Sequence, residues 1–370
     1  MLKAFIAFLI ALIVPDVYIW IHFIGTDVAW WITLLYALPT VVLIGSFIAG
    51  NLGFYHNTCL RIFFSLNLCI VLPKLVFALL SLILPTWLSL TIALALVASI
   101  AYGFIAGWRR LTVRRETIKS ELLPPSFDGF RILHFSDLHA GTFLRSHSFI
   151  QHLVQEINRL HPDLIVFTGD LVNVSADEVM PFMRDLRQLH APYGVYSILG
   201  NHDYCEYGKD HTLQNVERNQ RMLRYIEEKM GWRLLLNEHV LLEKASDKIA
   251  LIGVENTSRP PFPSYGDLQR AMQGLPDDMY KILLSHDPTH WRRSIVNRTD
   301  IALTLSGHTH AGQVKIGRLS PARFAYREWG GIYKEARQTL YVSLGLGGTM
   351  PFRLGAWPEI NLLELKSSKR

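Results

Sequence analysis

Five short blocks of metal-ligand residues stand in one order along the chain: Asp137-Leu138-His139, Gly169-Asp170-Leu171-Val172-Asn173, Gly200-Asn201-His202-Asp203, Ser285-His286-Asp287 and Gly307-His308-Thr309-His310. Carboxylate, imidazole and amide oxygen are the donors that hard and borderline divalent cations select. Asp137 and His139 are separated by one residue on an extended segment. Asp170 has two oxygens and can bridge a pair of ions. Asn201 offers a neutral oxygen, and His286, His308 and His310 offer nitrogens. A shared carboxylate lets two ions approach to about 3.5–4 Å, the arrangement that activates water against a phosphate ester. A single His-Asp or Gly-Asn-His is usually only a turn; five such blocks in register are not.

The elements that must carry these blocks can be read from hydrophobic periodicity. Strand-like runs at 131–135, 164–167, 195–199, 280–284 and 301–305 each end just before a block. The all-apolar Leu164-Ile165-Val166-Phe167 suits a strand covered on both faces. Helical spacing follows at 148–160, 179–189, 215–229 and 266–273, with further strands near 233–236, 239–243, 249–253 and 340–344. This alternation predicts a layered α/β domain. Open sheets of this kind place their active sites at the carboxyl ends of the strands, where the blocks lie.

With these residues in place, the chain resembles the calcineurin-like metallophosphoesterase superfamily, in a bacterial membrane-associated branch. The motifs are Asp-x-His, Gly-Asp-x-x-Asn, Gly-Asn-His-Asp, a single His and Gly-His-Thr-His, and the similarity covers about residues 128–368. The resemblance implies a four-layer α/β/β/α sandwich and two divalent ions, with manganese, iron and zinc as alternatives. It implies that one metal takes Asp137, His139, Asp170 and His310, and the other Asp170, Asn201, His286 and His308. His202 would face the scissile phosphate and protonate the leaving oxygen or stabilise the transition state. Many members carry a second Asp where Asn173 stands, and there it orients this histidine. Asn cannot raise histidine basicity as a carboxylate does, so a good leaving group, as in a pyrophosphate or phosphodiester, is expected. Asn173 and Arg353 are the expected substrate contacts, Arg353 lying in a Gly-rich tail (345–353) familiar from the same branch; a salt bridge closing the sandwich is the alternative role for Arg353.

The chain is made of two different materials. Residues 1–108 contain only Lys3, Asp16, Asp27, Arg61 and Lys74 as charged side chains, and the remaining 63 charges lie in 109–370. Four apolar runs, roughly 4–24, 28–50, 62–84 and 87–107, are each long enough to span a bilayer, which takes about 20 helical residues. The N-terminal run is too long, and followed by too many others, to be a cleaved signal. We therefore expect an all-α transmembrane bundle over 1–108, a basic linker over 109–127 and the metallophosphoesterase domain over 128–370. Lys3, Arg61 and Arg109, Arg110, Arg114 and Arg115 fall on one side of a four-span bundle. The positive-inside rule then puts the catalytic domain in the cytoplasm, at a bacterial inner membrane. Asp16 and Lys74 sit near mid-span. A lone charge there costs roughly 2.5–3.5 kcal/mol, so the two either pair inside the bundle or each reach a polar cavity or interface.

The net charge of +6 is mild. It suits an anionic substrate or a headgroup surface and does not by itself argue for nucleic acid, which is not expected as a partner. Cys59, Cys69 and Cys205 form no disulfide or zinc-knuckle spacing. The expected partners are a phosphate-ester substrate, with a lipid or nucleotide-sugar among the possibilities, and the bilayer. The leading reading is a membrane-anchored phosphoesterase acting on a phosphodiester or pyrophosphate, with UDP-2,3-diacylglucosamine as a specific candidate by resemblance. The alternatives are a broad phosphodiesterase on soluble nucleotides and a non-catalytic membrane scaffold.

Overall fold

A computed structural model describes residues 2–25, 28–52, 56–207, 212–260 and 262–368. The chain divides into two compact units, Met1–Ile105 and Ala106–Arg370. In the first are α1 (Leu2–Ile19), α2 (Trp30–Asn51), α3 (His56–Leu66), α4 (Leu72–Ser81) and α5 (Thr86–Ile105). A π-helical turn, Asn67–Val71, joins α3 to α4. Side chains such as Leu34, Leu38, Val41, Leu79, Leu82 and Leu94 are left exposed, which suits a lipid solvent and no other. Three segments, Trp30–Gly50, Arg61–Ser81 and Thr86–Arg109, have the length and apolarity to cross a membrane, and Leu9–Ile24 is a shorter apolar helix. Asp27 and the side chain of Lys3, two of the five charged positions of this region, lie outside the described residues.

The two mid-span charges meet. Lys74 Nζ lies 2.7 Å from Asp16 Oδ1. Thr40 Oγ1 donates to the other carboxylate oxygen, and the Tyr36 hydroxyl donates to the Asp16 carbonyl at 2.9 Å. The ammonium also sits 4.1 Å from the centre of the Tyr36 ring. One carboxylate thus ties α1, α2 and α4 together, and its charge is cancelled where water cannot solvate it.

The second unit is built on two six-stranded sheets. The first has the order β1-β12-β2-β3-β4-β5, and the second β10-β11-β9-β8-β7-β6. In chain order the strands are β1 (Thr112–Ser120), β2 (Arg131–Phe135), β3 (Leu164–Phe167), β4 (Val195–Ser197), β5 (Arg233–Leu234), β6 (Glu238–Lys244), β7 (Asp247–Gly253), β8 (Lys281–Leu284), β9 (Leu303–Ser306), β10 (Gly331–Glu335), β11 (Gln338–Val342) and β12 (Glu359–Ser367). Alternation along each strand sorts side chains to opposite faces. Ile132, Leu164 and Val166 of the first sheet meet Leu251, Ile282, Leu284 and Leu305 of the second in one core. The opposite faces carry the helices. Leu133, Phe135, Ile165 and Phe167 pack under α6 (His147–Arg159) and α8 (Leu213–Met230), with the short α7 (Met183–Leu186) beside them. Ile252, Leu283, Leu340 and Val342 pack under a thinner layer made by α9 (Leu268–Ala271) and the π-helical turn Trp291–Ile295. These are the four expected layers, α/β/β/α.

The expected linker is not one. Residues 112–120, inside the 109–127 stretch, form β1, paired in parallel with β12 over its whole length. Arg114, Arg115, Glu116 and Lys119 hide it from a hydrophobic scan, and only Ile118 is buried. A charged sheet edge of this kind discourages pairing with a second chain.

Candidate metal centre

The ligand blocks converge at one end of the two sheets. Asp137 and His139 follow β2, Asp170 follows β3, Asn201 follows β4, His286 follows β8, and His308 and His310 follow β9. Donor atoms of Asp137, His139, Asp170 and His310 all lie within 4.8 Å of one another, and so do those of Asp170, His286 and His308. Asp170 belongs to both groups. His286 Nε2 is 3.1 Å and His139 Nε2 3.6 Å from Asp170 Oδ2. His139 and His310 face each other Nε2 to Nε2 at 3.3 Å, and His308 Nδ1 stands 3.2 Å from His286 Nε2.

The backbone is bent to achieve this. Asp137, His139, Asp170, His308 and His310 all have positive φ, between 47° and 74°, a region that costs non-glycine residues free energy and that gathers at functional sites. Two glycines of the motifs make room. A Cβ at Gly307 would lie 2.2 Å from Asp137 Oδ2, and one at Gly200 would lie 2.2 Å from Asp170 Oδ1.

The electrostatics ask for cations. Burial lowers His139 to about 3 and His308 to about 4, and holds His310 well below the usual range. Their lone pairs are therefore free at neutral pH. Burial pushes Asp137 up to about 7. Burial also works against a charge on His286, yet the Asp170 carboxylate raises it to about 10, so a proton stands where a divalent ion would. Asn201 Nδ2 donates to the Tyr207 hydroxyl at 3.1 Å, which leaves its buried Oδ1 without a partner. An orphaned amide oxygen beside neutral imidazoles and a shared carboxylate fits two divalent ions. Six of the seven expected ligand residues are thus brought together in the two donor groups, and Asn201 follows β4 at the same sheet end.

His202 is placed beside them. Its ring lies 4.7 Å from that of His139 and 4.6 Å from that of Tyr207. Its Nδ1 is 2.7 Å from the main-chain carbonyl of Asn173. A carbonyl only accepts, so Nδ1 carries the proton and Nε2 is the working nitrogen. The expectation that the residue type at 173 governs this histidine is corrected here, because the backbone does. The Asn173 side chain is buried and donates to the Gly348 carbonyl at 3.3 Å, and its Oδ1 has no partner.

Arg353 is likewise buried. It is 1% exposed, and its guanidinium donates to the carbonyls of Leu344, Ala356 and Gly347 while one nitrogen stands 3.3 Å from His310 Nδ1. Among the described residues it makes no salt bridge that would close the sandwich. It braces the Gly-rich tail against the centre.

Three positioning residues stand outside the expected ligand set. The Asp203 carboxylate accepts from the amides of Asp170, Leu171, Val172 and Gly200 at 2.7–3.2 Å, stapling two ligand loops together. Glu178 accepts from the amides of Gly141, Asn173 and Val174. The Tyr326 hydroxyl lies 2.9 Å from His308 Nε2, the nitrogen turned away from the ligand cluster. Asp203 was signalled by its motif; Glu178 and Tyr326 had no signal, because their contacts depend on loop paths.

Residues 130–312 match the family model for calcineurin-like phosphoesterases. A Bacillus subtilis protein named an uncharacterized metallophosphoesterase, YkuE, is 32% identical over 74% of this chain and 93% of its own length. The chain belongs to the calcineurin-like phosphoesterase family. A zebrafish relative, named a transmembrane protein with metallophosphoesterase domain, is 31% identical over 75% of this chain. There the chain spans only 62% of the relative's length. A Helicobacter pylori metallophosphoesterase is 30% identical over 76% of this chain and 71% of its own. In this member of the family the phosphoesterase fold is joined to helices with the length and apolarity of membrane spans, the features of a membrane protein.

Proposed function

We propose that the chain is a membrane-anchored, two-metal phosphoesterase that hydrolyses a phosphodiester or pyrophosphate in an amphiphilic, lipid-linked substrate at the cytoplasmic face of a bacterial inner membrane. One observation carries the reading: a complete ligand cradle, down to the unpartnered Asn201 oxygen, is joined in one chain to apolar helices of membrane-crossing length. Asp137, His139, Asp170 and His310 would hold one divalent ion, and Asp170, Asn201, His286 and His308 a second, and such ions would supply Lewis acidity toward water and phosphoryl oxygen. The protein does the rest. The shared Asp170 fixes the spacing, and Asp203 fixes Asp170. Asn173 O holds the His202 ring by Nδ1, which leaves Nε2 to pass a proton to the leaving oxygen. Arginine near the ends of the apolar runs supports the cytoplasmic side.

The test is a substrate panel assayed on the full chain in detergent with manganese. It would contain lipid pyrophosphates including UDP-2,3-diacylglucosamine, cyclic dinucleotides and bis-p-nitrophenyl phosphate, with His202→Ala in parallel. The reading expects a lipid-linked diester or pyrophosphate to be turned over best. It expects His202→Ala to lower kcat roughly 10²- to 10⁴-fold, the range of general acid catalysis. A clear preference for soluble nucleotides, unaltered by removing residues 1–105, would contradict it.

A further inference from the structure

Directly after the last metal ligand, the chain forms a hairpin and turn that no catalytic role absorbs. Ile316 and Leu319 close on each other by two backbone hydrogen bonds of 2.9 and 3.0 Å. A single helical turn, Pro321–Phe324, follows. The apolar side chains of this segment point into solvent: Ile316 is 70% exposed, Leu319 57% and Phe324 90%. Lone exposed apolar residues are ordinary, but three within nine positions of one hydrogen-bonded loop are not.

Cations are interleaved with them. Lys315, Arg318, Arg323 and Arg327 lie in the same segment, and no Asp or Glu occurs between Ala311 and Arg327. Among the described residues, Arg318 and Arg323 make no salt bridge. Arg327 lies 3.7 Å from Glu328, which leaves Arg318 and Arg323 as the unpaired arginines; apolar tips among such cations are the chemistry of a segment that lies in the interfacial layer of an anionic bilayer. A protein groove would have to supply both apolar pockets and acids at this spacing. A bilayer supplies both everywhere, and the apolar helices of the same chain bring one within reach.

The segment is also fastened to the metal centre. Ser320 Oγ donates to the carbonyl of Ala311, next to His310. Thr309 Oγ1 donates to the Trp329 carbonyl at 2.7 Å, and Tyr326 reaches His308 at 2.9 Å. We propose that residues 315–327 are a membrane-docking loop: Ile316, Leu319 and Phe324 enter the interfacial layer of an anionic phospholipid bilayer, and Lys315, Arg318, Arg323 and Arg327 contact its headgroups. This assignment concerns the surface and not the reaction, so it stands apart from the choice of substrate.

The test uses the full chain in nanodiscs. In a Cys59→Ser, Cys69→Ser background that keeps the buried Cys205, Phe324→Cys is labelled with an environment-sensitive nitrobenzoxadiazole. Tyr225→Cys, an exposed position on α8, serves as the reference. Doxyl-labelled phosphatidylcholine is the quencher, in discs with and without phosphatidylglycerol. The proposal expects loss of emission at position 324 but not 225, a larger loss with phosphatidylglycerol, and relief by Arg318→Glu with Arg323→Glu. Unchanged hydrolysis of bis-p-nitrophenyl phosphate by that double variant would show that it is folded. Equal quenching at 324 and 225, or quenching at 324 that ignores phosphatidylglycerol and the charge reversals, would overturn the proposal.

Discussion

The two units bury charge in opposite ways. In the membrane unit Asp16 meets a protein cation, Lys74, at 2.7 Å, and Tyr36 and Thr40 fill its remaining positions. In the second unit Asp137 and Asp170 are more deeply buried, yet the groups turned toward them are mostly imidazoles that burial keeps neutral. The first site is electrostatically closed and holds helices together. The second is left open, and an open buried carboxylate cluster is what a divalent ion completes. The same physical rule, that buried charge must be compensated, separates a structural node from a metal centre.

The largest expected effect tests the open site. Asp170→Ala removes the carboxylate common to both ligand groups and should lower phosphodiester turnover by roughly 10³-fold, the scale of losing a principal electrostatic stabiliser. Retention of more than a tenth of the activity would mean that the two groups do not act through one shared ligand.

The closed site gives the next effect. Lys74→Ala strands Asp16 among apolar helices and should cost about 2 to 3 kcal/mol, read from thermal unfolding in detergent. Asp16→Ala with Lys74→Ala should cost less than the sum of the single changes. Strict additivity would remove the pairing as a source of stability.

The smallest effect lies beside the open site. Glu227 is buried under β4 and hydrogen-bonded with Ser197; burial pushes it from 4.5 up to about 8. The folded state then binds a proton that the unfolded chain releases near the usual value, so stability should fall as pH rises from about 4.5 to 8. Glu227→Gln should flatten this part of the stability curve. An identical slope in the variant would assign the dependence to another group.

How much of this was legible in the sequence follows from range. The ligand blocks could be read because each is local: a few residues at fixed spacing after an apolar run. The Asp16–Lys74 pair was legible because two lone charges in apolar spans have few places to go. The edge strand β1 was not, since Arg114, Arg115, Glu116 and Lys119 remove the apolar alternation that marks a strand. The roles of Asp203 and of the Asn173 carbonyl were also hidden, because they act through main-chain groups and a side-chain scan has no access to those. Arg353 misled for a related reason. An arginine near a phosphate site suggests a substrate contact, but this one spends its donors on the carbonyls of its own Gly-rich tail.

The most direct test of the open site is the metal content of the full chain purified in detergent, measured by inductively coupled plasma mass spectrometry together with turnover before and after chelation. Two divalent ions per chain are expected, with activity lost on their removal and restored by manganese. Full turnover with no bound ion, or with only one, would contradict the two-metal account.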